Sequence, residues 1–320
     1  MLDRRMFCTG LLAAPAVLSS ARSAGAETYP SRLVTIVLPY PAGGGTDSLA
    51  RMFAEALGNG IGQKVIVDNR GGAAGMIGGT VVAKARPDGY TLLYTLGNLM
   101  INSYYLFKER PFHPIESFVP ITQTCLLQAA IVTRADHPAN NLQDFIDLAR
   151  KSPGQLSFAY YGELGMLTLA KEANLDLLRV PYKGGLQGML DVSQGRVDVI
   201  VSSVAQSLAF IQDRRLKALA ITGDDRVEAL PGVKTVKETL PNYQALDYHA
   251  LFAPAGTPQP VVDFLYEKSV SVLTEPTLRQ KFLGLGGVVN PPVQRDFREF
   301  MQKDFERIGK VIQSSGIAPE

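Results

Sequence analysis

The chain has 320 residues, 46% of them hydrophobic, and its 32 lysines and arginines nearly balance 30 aspartates and glutamates, for a net charge of +2. The basic residues are scattered along the chain, which excludes nucleic acid as an expected partner. Beyond the N-terminus no apolar run approaches the length of a membrane-spanning helix.

Residues 1–26 predict an export signal. Arg4 and Arg5 give a charged start, residues 10–18 form a short apolar segment, and Ala24-Gly25-Ala26 is a small-residue cleavage site. The arginine pair is also typical of a twin-arginine signal, which we favour slightly over the general export route. The remaining chain is then expected to be exported, and its length of about 294 residues favours two domains.

The two cysteines agree with this interpretation. Cys8 would leave with the signal, so Cys125 would be alone and no intrachain disulfide could form in the mature chain. The apolar neighbours of Cys125 indicate a small core residue.

The first predicted unit is a buried strand over Leu33–Leu38, a glycine-rich loop over residues 39–45, and a helix that begins near Thr46 or Asp47. Either of these two residues is expected to cap the helix. A helix that starts directly after such a loop presents unpaired backbone N–H groups and its positive dipole end, which together form an anion site. Three successive glycines remove the Cβ atoms that would keep a ligand away. An ordinary strand-to-helix turn remains the alternative.

Nucleotide binding is weakly supported by this loop. A P-loop requires a lysine, and none occurs between Ser31 and Gln63. A dinucleotide fingerprint requires a third glycine where Ser48 stands. A small anion such as a carboxylate fits better.

Strand-like and helix-like segments alternate through the rest of the chain, which predicts an α/β fold with a parallel sheet. Strands are expected over residues 64–68, 91–95, 118–122, 129–133, 156–160, 178–183, 197–201, 216–222 and 248–253, and the main helices over 142–151, 166–174, 186–194, 258–273 and 293–314.

Small or polar residues follow five of these strands. Because ligands bind beyond the carboxyl ends of strands in open parallel sheets, the five segments predict a cleft between two lobes. They are residues 39–47, 96–98, 161–165, 182–185 and the pair Ser202-Ser203. Lys183 is the one cation near a predicted loop, and we favour a solvated or interlobe ion-pair role for it.

Catalysis is not expected. His113 and His137 each precede a proline in a polar loop, and His249 lies in a predicted strand as a structural or cleft-lining residue. The sequence contains no G-x-S-x-G nucleophile elbow, no H-E-x-x-H zinc pair and no acidic calcium loop. We therefore expect no catalytic residue, no metal and no cofactor.

Five segments in order resemble the Bug family, the extracytoplasmic solute receptors of tripartite tricarboxylate transporters. They are Pro-Tyr-Pro-Ala-Gly-Gly-Gly-Thr-Asp (39–47), Val-Asp-Asn-Arg-Gly-Gly-Ala-Ala-Gly (67–75), Ala-Arg-Pro-Asp-Gly-Tyr-Thr-Leu-Leu (85–93), Val-Pro-Tyr-Lys-Gly (180–184) and Leu-Phe-Ala-Pro-Ala-Gly-Thr-Pro (251–258).

The resemblance implies a two-lobed periplasmic-binding-protein fold of the type II, Venus-flytrap kind, with mixed, mostly parallel sheets. Its crossover strands would fall near 125–132 and 247–252. After the signal, lobe one would comprise residues 27–127 plus 250–320, and lobe two residues 128–249.

The implied function is capture of a small di- or aromatic carboxylate for the membrane subunits of such a transporter, by a monomeric protein that is not an enzyme. A periplasmic sensor that serves a signalling partner is the alternative, and a hydrolase is less favoured. Together with the strand ends, the resemblance gives as ligand-binding residues Tyr40, Ala42, Gly43, Gly44, Gly45, Thr46, Asp47, Leu96, Gly97, Asn98, Tyr161, Gly162, Gly165, Tyr182, Ser202 and Ser203.

Three departures from the family pattern bear on the ligand. The facing loop usually reads Ser-Gly-x-Gly-Thr/Ser but here contains Tyr161, Leu164 and Met166, and the helix after it is expected to be shorter. The strand end that often reads Phe-Asp-Asn is Val201-Ser202-Ser203. Because that aspartate is the obvious partner for an amino group, we expect an unsubstituted or aromatic carboxylate in preference to an amino acid.

Overall fold

A computed structural model describes residues 29–161, 164–182, 184–244, 247–291, 294–314 and 319, without the side chains of residues 98, 99 and 205. The predicted export signal and Cys8 lie outside these residues. Within the described ranges no helix is long and apolar enough to cross a membrane.

Strands and helices alternate along the chain, as the sequence predicts. The strands are β1 (Val34–Leu38), β2 (Val65–Asn69), β3 (Thr91–Leu96), β4 (Phe118–Leu127), β5 (Ala129–Arg134), β6 (Ser157–Tyr160), β7 (Leu178–Pro181), β8 (Val199–Ser203), β9 (Leu216–Ile221), β10 (Asp247–Pro254) and β11 (Gly287–Val288). The helices are α1 (Gly45–Ile61), α2 (Met76–Ala83), α3 (Gly97–Leu106), α4 (Leu142–Lys151), α5 (Gly165–Ala173), α6 (Gly185–Ser193), α7 (Val204–Gln212), α8 (Gln259–Leu273), α9 (Pro276–Gly284) and α10 (Gln294–Ser314).

Two sheets define the two lobes. Lobe one contains a sheet of order β11-β4-β10-β3-β1-β2, and lobe two a sheet of order β7-β6-β8-β5-β9. The sheets are mixed, as predicted. Among the described strands, however, five neighbouring pairs are antiparallel and four are parallel, so the expected excess of parallel pairs is wrong. The antiparallel pairs arise at β4, β5 and β10, the strands beside the passages between lobes.

Successive side chains of a strand point to opposite faces of the sheet, and this alternation explains why each lobe has a core layer on both faces. In lobe one, Ile36 packs with Phe53 of α1 on one face of the sheet, while Val37 packs with Met76 of α2 on the other face. Lobe two is built in the same way around β5, β6 and β8, with α4 and α5 on one face and α6 on the other. Cys125 is fully buried in the lobe-one core, which confirms its predicted place.

The chain passes between the two sheets twice. The first passage is the single residue Gln128, between β4 and β5, and the second is the segment between Ile221 and Asp247. Residues 247–249 were expected at the end of lobe two, but β10 is continuous there and pairs His249 with Leu96 of β3. The remainder of the division into residue ranges stays a prediction.

Candidate functional site

Helices follow the carboxyl ends of five strands, either directly or after a short loop. In lobe one, α1 follows β1 and α3 follows β3, and these strands are parallel neighbours. In lobe two, α5, α6 and α7 follow β6, β7 and β8, which are also parallel neighbours in the order β7-β6-β8. Each lobe therefore gathers the N-terminal ends of these helices at one edge of its sheet, where backbone N–H groups favour anions.

The loop before α1 leaves its amides uncovered. Gly44 is the N-cap, with φ −84° and ψ 172° and no side-chain cap, so the expected capping by Thr46 or Asp47 is wrong. The first helical hydrogen bond runs from Ser48 N–H to the Gly44 carbonyl, and the N–H groups of Gly45 and Thr46 have no partner in the described part of the chain. A Cβ atom at Gly43, Gly44 or Gly45 would meet nothing within 4 Å. Open space thus faces the start of the helix.

Asp47 holds this loop from inside. Its side chain accepts the Gly43 N–H at 3.0 Å, Asn69 Nδ2 at 2.9 Å and Arg51 Nε at 3.0 Å, and Asn69 Nδ2 also donates to the Tyr40 carbonyl. Gly43 has φ +90°, a conformation that favours glycine. Asp47 is buried, so it orders the loop and does not present a carboxylate to the cleft.

The charge on Asp47 is strongly favoured. Burial alone would raise the pKa of this carboxyl, but the hydrogen bonds from Arg51, the Gly43 amide and Asn69 outweigh it and lower the pKa to about 2. The loop is therefore locked by an ionised group throughout the neutral range.

Tyr40 joins the first loop to the end of β3. Its hydroxyl accepts the Leu96 N–H at 3.2 Å and lies 2.9 Å from Thr95 Oγ1. Burial raises the pKa of Tyr40 to about 12, so the hydroxyl stays neutral. The hydroxyl therefore both donates and accepts within the protein, and the predicted contact of Tyr40 with a ligand would be made by its ring or its backbone.

Gly97 is required by packing. A Cβ atom there would lie 2.0 Å from two ring carbons of the buried Tyr248. Gly97 begins α3 and Asn98 follows in its first turn, with the Asn98 side chain outside the described residues. The predicted site residues at this strand end therefore supply a helix N-terminus, with the backbone held against Tyr248.

In lobe two, Tyr161 spans the ends of three elements. Its hydroxyl donates to the Val201 carbonyl at 2.9 Å, and its ring lies 3.2 Å from where a Cβ atom of Gly185 would be. Tyr182 donates from its backbone N–H to the Tyr160 carbonyl and from its hydroxyl to Asp191 at 2.8 Å. Both aromatic side chains therefore pack at the strand ends, and Tyr161 is one of the bulky residues that replace the hydroxyl donors of the family pattern.

The serine pair at the carboxyl end of β8 hydrogen-bonds mainly within the protein. Ser202 has no exposed surface, and its hydroxyl donates to Gln206 Oε1 at 3.2 Å. Ser203 is the N-cap of α7 and accepts the Gln206 N–H at 3.3 Å. In this structure Ser202 supports the first turn of α7 from inside, whereas Ser203 is half-buried at the strand end.

The two lobes meet where the loop before α5 reaches α3 and α10. Leu164 is 8% exposed and packs in a cluster with Ile101 of α3 and Ile308 and Ile312 of α10. We call these four residues the interlobe cluster. Beside it lies a cavity of about 20 Å³, lined by Gly165 and Val201 of lobe two and Asn102, Asp247 and Arg307 among others. That volume holds about one water molecule, so a larger ligand here requires the lobes to separate.

The predicted site residues thus form two sets. The lobe-one set holds Tyr40, Ala42, Gly43, Gly44, Gly45, Thr46, Leu96 and Gly97, with Asp47 beneath it; the lobe-two set holds Tyr161, Gly165, Tyr182 and Ser203, with Ser202 beneath it. Gly162 and Lys183 lie outside the described residues. Among the described residues no group of three His, Cys, Asp or Glu side chains could hold a metal ion.

Several supporting residues were not anticipated. Asn69 and Arg51 complete the hydrogen-bond network that holds the first loop around Asp47. The i, i+4 spacing of Asp47 and Arg51 on a predicted helix was a usable signal for the contact between these two residues. His249 lies with its Nε2 atom 3.5 Å from Thr46 Oγ1. The two residues are 203 positions apart, and no local pattern indicates that contact.

Comparisons with known proteins agree with this architecture. Residues 49–317 match the family described as the tripartite tricarboxylate transporter family receptor. The chain is 33% identical over 318 residues to the UPF0065 protein in the tcbD-tcbE intergenic region of Pseudomonas sp. strain P51, covering 97% of this chain and 94% of that protein.

Solved structures are similar over nearly their whole length. The periplasmic binding protein BugD is 31% identical with a TM-score of 0.73, covering 91% of this chain and 100% of BugD. Rpa4515 of R. palustris with adipate is 27% identical with a TM-score of 0.76, covering 91% and 100%. MatC of Rhodopseudomonas palustris with bound malate is 26% identical with a TM-score of 0.72, covering 89% and 100%.

Proposed function

Because this chain belongs to the tripartite tricarboxylate transporter receptor family, we propose that it is a periplasmic receptor that binds a small carboxylate between its two lobes. The observation that carries the proposal is the start of α1, where successive glycines leave the amides of Gly45 and Thr46 open beside a loop locked by Asp47. The adipate and malate in two similar structures support the same ligand class.

Recognition would use neutral groups. Backbone N–H groups at helix N-termini can bind a carboxylate without desolvating a lysine or arginine. The lobe-two set would face this carboxylate with the Tyr161 and Tyr182 rings, which suits a ligand with an apolar or aromatic body. Release of the ligand to the membrane subunits of a transporter would complete the function.

The ligand would lack an amino group next to its carboxylate. Both carboxylate oxygens of Asp47 are occupied by Gly43, Arg51 and Asn69, and the strand end at 202–203 carries serines in place of an aspartate. An ammonium group at these positions would therefore lose its hydration without meeting an uncommitted carboxylate that neutralises it. We expect malate-like, adipate-like or benzoate-like acids to bind more tightly than aspartate.

A thermal-shift screen of the mature protein tests the proposal. A bound acid present at about a hundredfold over its Kd should stabilise the fold by roughly 2.7 kcal/mol. The panel contains malate, succinate, adipate, benzoate and aspartate, with glucose and Mg²⁺ as controls. A shift with glucose or Mg²⁺ and none with any acid would sink the proposed function. A stronger shift with aspartate than with succinate would overturn only the preference for ligands without an amino group.

A further inference from the structure

A buried chain of polar side chains leads from the crossover strands to the first turn of α1. Thr124 Oγ1 lies 3.0 Å from Tyr94 Oη, which lies 3.2 Å from His249 Nδ1. The other ring nitrogen, His249 Nε2, lies 3.5 Å from Thr46 Oγ1. Thr124, Tyr94 and His249 have no exposed surface, whereas Thr46 is half-buried at the start of the helix. The chain therefore ends at the open face of the loop.

The proton positions along this chain follow from its partners. The Thr124 hydroxyl proton is shared between Tyr94 Oη at 3.0 Å and the His249 carbonyl at 3.2 Å, which makes Tyr94 Oη an acceptor and directs its own proton to His249 Nδ1 at 3.2 Å. Burial lowers the pKa of His249 to about 3, so the imidazole is neutral and carries its single proton on Nε2. The Nε2–H group faces Thr46 Oγ1.

The contact between His249 Nε2–H and Thr46 Oγ1 therefore has a role beyond packing. A buried N–H group without an acceptor loses its hydration without compensation, and Thr46 Oγ1 lies within hydrogen-bond distance of Nε2. When Thr46 accepts this proton, its own O–H must point elsewhere. The open side of the loop, beside the free N–H groups of Gly45 and Thr46, is the direction left to it.

We propose that His249 is a positioning residue that sets the Thr46 hydroxyl as a hydrogen-bond donor toward the ligand. The inference rests on the proposed binding of a carboxylate at the start of α1. An ionised carboxylate only accepts hydrogen bonds, so a donor fixed beside two amides favours it over a group that must donate. The Nε2–Oγ1 distance of 3.5 Å lies at the long end of the hydrogen-bond range.

The proposal is tested by a double-mutant cycle read by calorimetry. The probe is whichever of malate, adipate and benzoate binds the wild type most tightly. His249→Phe keeps a ring of similar size and removes both nitrogens, and Thr46→Val removes the hydroxyl. Each single variant should weaken binding about tenfold, but His249→Phe should change affinity less than twofold in the Thr46→Val background. His249→Gln, which retains an N–H donor, should bind within about threefold of wild type.

Two further variants separate positioning from folding. Tyr94→Phe removes the proton that selects the histidine tautomer, and its effect should also vanish in the Thr46→Val background. It serves in the cycle if His249→Phe does not fold. His137→Phe changes another buried histidine, in lobe two, and should alter stability without altering affinity. Equal losses in both backgrounds, or wild-type affinity in His249→Phe, would overturn the proposal, whereas failure of every acid to bind wild type would overturn the proposed function instead.

Discussion

The ring of Tyr248 fills the space that a side chain at Gly97 would need, with two ring carbons 2.0 Å from the position of a Cβ atom. Tyr248 is fully buried on β10, and Gly97 is the first residue of α3. Packing against Tyr248 of the crossover strand β10 therefore requires a glycine at position 97, independently of which ligand binds.

Gly97→Ala should destabilise the ligand-free protein by about 1–3 kcal/mol, because overpacking against a buried ring forces side chains or backbone to move. Gly45→Ala is the matched control, since Gly45 also begins a helix after a strand but has nothing within 4 Å of its Cβ position. Urea denaturation should separate the two variants. Equal stability of both would contradict the packing argument.

Gly44→Val should weaken carboxylate binding at least tenfold, equivalent to about 1.4 kcal/mol, without unfolding the protein. The backbone of Gly44 is extended and accepts any residue, and the new side chain would occupy the open space before α1. Calorimetric titration measures the loss. Gly232→Val, also at a position with open space but outside both sets, should bind as wild type; unchanged affinity in Gly44→Val would argue against the first loop as the site.

Asp47 should contribute to stability in a pH-dependent way. Its pKa is about 2 in the folded protein, against an ordinary value of 3.8, so its contribution is complete above about pH 4 and is lost as the pH falls toward 2. The shift corresponds to about 1–2 kcal/mol after allowance for the half-exposed Arg51 partner.

The measurement is the free energy of unfolding of wild type and Asp47→Asn between pH 7 and the acid range. The difference between them should be full at neutral pH and should shrink below about pH 4. Asp136→Asn removes an aspartate whose side chain is 86% exposed and should leave the pH profile unchanged. A difference independent of pH would show that the charge on Asp47 does not hold the loop.

Leu164→Ser should loosen the interlobe cluster. Transfer of this side chain from the cluster to water costs about 2 kcal/mol, and the contact that it breaks joins lobe two to α3 and α10. We expect a larger radius of gyration of the ligand-free protein in small-angle scattering. Leu186→Ser, in the same lobe but 59% exposed, should leave the radius unchanged; the same radius in all three proteins would contradict a role for Leu164 in holding the lobes together.

Local elements could be predicted from the sequence because their signals are local. The pattern of Leu142–Lys151 gave the observed bounds of α4, and Asn141 is its N-cap, accepting the Asp144 N–H. The pattern did not indicate α7 or α9. Pro276 at the first turn of α9 was a usable start signal.

Long-range relations could not be predicted in the same way. Strand direction is invisible to hydrophobic periodicity, so the antiparallel pairing of β10 with β3 and β4 was missed. The five strand ends were found because small and polar residues follow them. The partners that occupy those residues were not: Asn69 reaches Asp47 from β2, and Tyr248 reaches Gly97 from β10. The sequence thus indicated which strand ends carry the candidate site residues, while it left open which of these side chains face inward.

The unequal lengths of the two passages between lobes have a mechanical consequence. One residue, Gln128, links β4 to β5, whereas the return passage is the longer segment between Ile221 and Asp247. The Gln128 carbonyl accepts the Val204 N–H and its side chain donates to the Asp225 carbonyl, so both the first turn of α7 and the longer passage are fastened to this residue. A connection of one residue permits rotation of one lobe relative to the other and resists translation between them. Solute would therefore enter and leave by rotation of one lobe about Gln128, and the longer passage would adjust to that rotation.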